Sequence, residues 1–158
     1  MLNVLEELVA EWYEFRGYFV RRNARVGRRP NGGYAGELDV VALHPSERRL
    51  LHIEVEIGVD SWEKREKRFA RKFEVGKEHI PGLFSGIGIE LPPIEPIAIS
   101  STGSAPNRST LGGGELITIG AFLNKVRADL KQRDFAGGVI PEQFFLLRML
   151  QFAAHYWG

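Results

Sequence analysis

A chain of 158 residues, 44% hydrophobic and 26% charged, has the size and composition of one globular domain with its own buried core. It contains no cysteine, which excludes disulfides, thiolate catalysis and zinc–thiolate sites and leaves oxygen and histidine ligands that favour a hard cation. The net charge of +1 is uninformative as a total, and no apolar run approaches the roughly 20 residues needed to cross a bilayer.

Residues 2–16 place Leu2, Leu5, Leu8, Val9, Trp12 and Tyr13 at helical spacing, which predicts an amphipathic helix ended by Gly17. The segment lacks the apolar core and cleavage site of a secretory signal, so a cytoplasmic, non-membrane protein is expected. Residues 18–22 read as a short strand, 27–36 as a mobile glycine-rich loop, 38–43 as a second strand and 50–57 as a third, with turn chemistry at His44-Pro45-Ser46-Glu47. Ser61 is a candidate N-cap for a highly charged helix to about residue 78, whose apolar stripe is thin: Trp62, Phe69, Phe73. Residues 97–100 look like a buried fourth strand, 102–114 a loop by composition, 116–119 a short fifth strand and 121–133 a helix. A last helix, about 141–157, has Pro141 in its first turn and is apolar almost all round.

The order α-β-β-β-α-β-(β)-α-α predicts an α/β (mixed α+β) fold, a central mixed sheet flanked by helices, in a single domain over 1–158 with its core in 1–133. The final helix is too apolar for an exposed position, so it packs into the core or against a second copy, and a homodimer is the expected arrangement.

Side chains alternate faces along a strand, so His52, Glu54 and Glu56 share one face, as Glu37 and Asp39 do on the neighbouring strand. A short turn makes these strands antiparallel neighbours, which lets the carboxylates meet. A solvated face normally mixes charge signs. Like charges set opposite each other repel by up to about 1 kcal/mol unless a cation lies between them. Magnesium meets that need with only one or two carboxylates and supplies what phosphodiester hydrolysis requires.

In order and spacing these residues resemble the PD-(D/E)XK nuclease superfamily, the fold of many restriction endonucleases and of archaeal Holliday-junction resolvases. The resemblance covers roughly residues 2–101. The family pattern is a helix bearing a glutamate, a Gly-aromatic step into a strand, a strand with an aspartate, and a strand reading Glu-X-Lys followed by a helix. Here the pieces are Glu6, Gly17-Tyr18, Asp39 in Gly36-Glu37-Leu38-Asp39, and Ile53-Glu54-Val55-Glu56. The resemblance implies a restriction-endonuclease-like core and a DNA endonuclease dependent on Mg2+ (or Mn2+). Asp39 and Glu54 would be metal ligands, Glu56 a ligand or general base, and Glu6 a supporting acid; Glu6 equally suits a first-turn glutamate facing the helix dipole.

The departure is Glu56, which stands where the family carries its lysine. Some members have an acid there, and others move the basic residue onto the following helix. Arg65 and Lys72 border the apolar stripe of that helix, either as solvated charges or, for Lys72, as a relocated lysine. The alternative function is a catalytically inactive DNA-binding or assembly subunit on the same fold. For the substrate, Arg21, Arg22, Arg25, Arg28 and Arg29 lie in a stretch without a single acid, an electrostatic footprint suited to phosphates. No sequence-reading motif is present, so structure-selective or nonspecific DNA cleavage is expected.

Overall fold

The computed structural model describes residues 3–102, 107–134, 136 and 138–157. Leu2 and part of the 102–114 segment lie outside them. Helix α1 (Val4–Phe15) begins where the Asn3 side chain accepts from the Leu5 and Glu6 amides, and it buries Leu8, Val9, Trp12 and Tyr13. Gly17, at φ +93, turns the chain out of the helix into β1 (Phe19–Arg28).

β1 pairs antiparallel with β2 (Tyr34–His44), and β2 with β3 (Arg49–Glu56). This hairpin is longer than the sequence reading: half of the glycine-rich stretch 27–36 is strand, and the connection shrinks to residues 29–33. Gly27 and Gly36 serve close approach, while Gly32 and Gly33, at φ +99 and +80, turn the connection. A Cβ at Gly36 would sit 3.0 Å from Val75, and one at Gly27 within 2.8 Å of His79, so helix α2 (Trp62–Leu83) lies directly on the hairpin. The apolar alternation of Ala24 and Val26, both buried beneath α2, is masked in the sequence by Arg25 between them and Arg28 after them.

α2 starts at Ser61, which caps the Lys64 amide, and runs past the expected end to Leu83 because Ile80 and Leu83 pack under the hairpin. It crosses over to β4 (Ile94–Ser100), which lies parallel to β3. β5 (Thr110–Leu111) and β6 (Gly114–Thr118) form a small antiparallel pair, with β6 parallel to β4. The result is a six-stranded mixed sheet in the order β1-β2-β3-β4-β6-β5.

Helices α1, α3 (Ile119–Gln132) and α4 (Phe145–Tyr156) bury one face of this sheet; α2 covers the other. β3 is therefore buried on both faces, including the one carrying His52 and Glu54. α4 begins at Phe145, later than expected, with Pro141 in the preceding turn. Its own N-cap offers no side-chain hydrogen bond. The buried Glu11 of α1 takes that role, its Oε2 accepting from the amides of Leu146 at 3.0 Å and Leu147 at 3.2 Å. Among the described residues no helix is long and apolar enough to cross a membrane.

The closeness of α2 to β3 predicts opposite outcomes for two helical glycines. A Cβ at Gly76 would lie 2.2 Å from His52 Nδ1, whereas one at Gly120 in α3 meets nothing within 4 Å. Gly120→Ala is expected to raise stability by about 0.5–1 kcal/mol through helix propensity. Gly76→Ala is expected to lower it by about 1–3 kcal/mol through overpacking. Thermal unfolding of the two variants measures this, and a rise in Tm for both would remove the packing account.

Candidate functional site

The β2–β3 register runs from His44↔Arg49 to Val40↔Ile53 and stops there. Beyond it the strands separate, and two carboxylates continue the pairing. Glu54 Oε1 accepts from the Asp39 amide at 3.3 Å, and Asp39 Oδ2 accepts from the Val55 amide at 2.9 Å. The same point is a twist in the sheet. Val40 and Ala42 pack toward α1, yet Leu38 packs beneath α2; on β1, Val20 packs toward α1 while Ala24 and Val26 lie beneath α2. Residues of one parity thus change face at Asp39 and at the facing Asn23, whose φ is +48, a conformation that asparagine tolerates better than most residues.

Two side chains, one cationic and one polar, converge on this pair. Lys72 reaches down from α2 and places Nζ 2.7 Å from Glu54 Oε2 and 3.8 Å from Asp39 Oδ2. His52 sits two residues before Glu54 on the same strand face, with Nε2 2.7 Å from Glu54 Oε1. Its Nε2 donates to the Glu54 carboxylate, and its Nδ1 is buried with no hydrogen-bond partner. The ring packs edge-on to Phe73 and is fixed in place by the missing side chain of Gly76. Glu54 Oε1 is thus occupied by His52 and a backbone amide, and Oε2 is the oxygen turned to Lys72. The Glu54 side chain is 0% exposed and that of Lys72 36%, which makes the lysine the link between the carboxylates and solvent.

These contacts divide the protons unequally. Burial pushes the Asp39 carboxyl up to about 8, helped by the Glu54 charge and only partly opposed by Lys72. For Glu54 burial acts in the same direction, but the His52 hydrogen bond and the Lys72 charge outweigh it and hold the group below the usual carboxylate range. Lys72 loses by burial but gains more from Glu54 and Asp39, so its ammonium is stabilised. One lysine beneath two buried carboxylates leaves the site short of positive charge.

Of the other residues singled out in the sequence, Glu6 comes closest. It accepts from Asn3 Nδ2 at 2.8 Å and lines a small cleft with Asp39 and Asn23; burial raises its pKa, against the pull of Lys72. Glu56 shares the strand face but is held by Arg68 of α2, with Arg68 Nε 3.0 Å from Glu56 Oε2. Among the described residues no group of three or more His, Asp or Glu side chains is arranged to hold a metal ion. Arg65, the other basic residue at the stripe border, is buried against Ser100 and stacks on Trp62.

The arginine segment also divides. Arg22 is bound by Glu7 and Glu14 of α1, and Arg25 lies 3.4 Å from Glu37, whereas Arg21, Arg28 and Arg29 are exposed on the hairpin. A groove between the hairpin and α2, lined by Gly36, Leu38, Arg68, Arg71, Lys72 and Val75, leads to the lysine. His52 is the site residue to which the sequence analysis gave no role, although its signal was present: a histidine two residues from Glu54 on a strand and hence on the same face. Searches with this sequence against models of known families and against curated proteins return no match.

The raised Asp39 pKa has a defined effect on stability. The folded state keeps this proton up to about pH 8, while the unfolded chain releases it near the ordinary 3.8, so unfolding free energy falls as pH rises through that interval. Asp39→Asn keeps an acceptor for the Val55 amide and carries no charge. Its Tm is expected to match that of the wild type near pH 4 and to exceed it by roughly 5 °C near pH 8. A pH-independent difference between the two proteins in thermal melts would show that Asp39 is not strained by deprotonation.

Proposed function

We propose that this chain is a metal-dependent endonuclease of the PD-(D/E)XK type, hydrolysing DNA phosphodiester bonds, with Lys72 of α2 in the role of the missing strand lysine. The carrying observation is Lys72 Nζ at 2.7 Å from Glu54 and 3.8 Å from Asp39, which assembles two acids and a lysine although Glu56 stands at the lysine's usual position. The element order supports a restriction-endonuclease-like core: a helix, three antiparallel strands, a crossover helix and a strand parallel to the third.

The donor set fits a hard divalent cation. Both ligands are carboxylates, and the Asp39 carboxyl, pushed up by burial and by the Glu54 charge, is one that the positive charge of such an ion would hold ionised. Asp39 and Glu54 would hold Mg2+ or Mn2+, which when bound activates water and offsets charge on the phosphoryl oxygens. His52 and the Asp39 amide fix Glu54 Oε1, so Oε2 is the oxygen presented to the site. Lys72 keeps Glu54 ionised and sets an ammonium beside the acids, where it can meet the developing negative charge. Glu6 supplies a supporting acid beside Asp39.

Arg68 and Arg71 along the groove, with Arg21, Arg25, Arg28 and Arg29 on the hairpin, offer phosphate contacts that hold a nucleic-acid backbone without reading its bases. This favours structure-selective or nonspecific cleavage, in a cytoplasmic protein.

The test is incubation of end-labelled duplex, single-stranded and four-way-junction DNA with Mg2+ or Mn2+. Cleavage is expected, falling at least about 100-fold in Asp39→Ala, Glu54→Ala and Lys72→Ala, while Glu56→Gln stays within about fivefold of wild type. Either metal should also raise the Tm of the wild type and not of Asp39→Ala. Absence of cleavage on all three substrates, together with unchanged melting, would overturn the proposal; DNA binding alone would then assign the chain as a non-catalytic binding or assembly subunit.

A further inference from the structure

Helix α4 carries two apolar stripes. The inner one, with Leu147 and Ala154 buried and Leu150 packed against them, belongs to the core beneath α1 and α3. The outer one consists of Phe145, Met149, Phe152 and Tyr156, exposed by 78%, 67%, 40% and 76%, and continues into Trp157 at 88%. We propose that this outer stripe is the interface of a homodimer, in which α4 packs antiparallel on α4 of a second copy across a two-fold axis.

Three observations lead to a second copy as the occupant. The stripe residues are spaced four, three and four apart, the seam spacing by which two helices interlock. An axis midway between Met149 and Phe152 makes that seam self-complementary, setting Phe145 against the partner's Tyr156 and Met149 against the partner's Phe152. The contact is then isologous, as two-fold dimers require.

The area is also of the right size. Four aromatic side chains and a methionine at these exposures present about 700 Å² of apolar surface per copy. A standard interface takes about 800 Å² from each partner, whereas the largest patch on a monomer is commonly about 300–600 Å².

Charge does not oppose the pairing. α4 has no acid, and its two basic residues, Arg148 and His155, fall outside the seam positions. Arg148 lies over the Phe152 ring, 4.4 Å from its centroid. The helix is also held rigidly for such a role, since Glu11 caps its first amides from α1 and Gln151 anchors it to Ile140 and Gly138. An apolar groove between α3 and α4, lined by Leu123, Leu130, Leu150 and Trp157, extends the surface beyond the seam. This inference stands apart from the hydrolytic reading, because the face lies on the opposite side of the sheet from Lys72 and α2.

Light scattering and sedimentation velocity on the full chain provide the test. Twice the monomer mass is expected up to concentrations of about 100 µM and well below it. Met149→Glu combined with Phe152→Glu should halve the mass while leaving the far-UV circular dichroism unchanged. If that variant fails to fold, a mixture of Met149→Cys copies with Phe152→Cys copies decides, because the chain has no other cysteine. On oxidation in dilute solution the mixture should form an intermolecular disulfide across the 149–152 pairing, and a mixture with Ser46→Cys in place of either should not. A wild type that stays monomeric at high concentration overturns the proposal and leaves the stripe to a different partner. A dimer that survives both glutamates overturns it as well, by placing the interface elsewhere.

Discussion

Two carboxylates buried side by side beneath a single ammonium are the constraint around which the rest of this structure is arranged. Asp39 and Glu54 lie where β2 and β3 part, and each accepts a backbone amide that the sheet ladder no longer satisfies. Burying such a pair is unfavourable unless hydrogen bonds and opposite charge surround it. Lys72, His52 and the Asp39 amide do this for Glu54, and Asp39 is left with the deficit, seen in its raised pKa. The negative charge of this pair is left incompletely compensated, balanced by one lysine that is itself in reach of solvent.

The same requirement explains the placement of α2. For Lys72 to touch Glu54, the helix must lie close on β3 and on the hairpin, and that closeness depends on small residues at the crossings: Gly76 against His52, Gly36 against Val75, Gly27 against His79. Covering the polar face of β3 in this way makes the strand buried on both sides. The site is consequently not a patch on an exposed sheet but a cleft at the end of a buried strand, approached through a groove rimmed by Arg68 and Arg71.

The opposite layer answers to different physics. There α1, α3 and α4 close an apolar core, and α1 reaches across the sequence through Glu11 to cap a helix that has no cap of its own. The protein thus separates a charged face, built from β2, β3 and α2, from an apolar face on α4.

Local pattern in the sequence determined the helices, the antiparallel meander, and the two acids that face each other across it, because strand parity and turn length act over only a few residues; it missed the strand at 27–28, 34–36 and 110–111, where glycine and polar residues hide the alternation. Helical geometry likewise confined Lys72 to the border of the apolar stripe on α2, within reach of the sheet. Only the tertiary structure decided which charges belong together. Glu56 and Arg22 looked available in sequence yet are taken up by Arg68 and by Glu7 and Glu14, and His52 looked incidental yet fixes Glu54. The reason is physical: an ion pair or a buried hydrogen bond depends on which helix lies over which strand and at what distance, and no periodicity along the chain carries that distance.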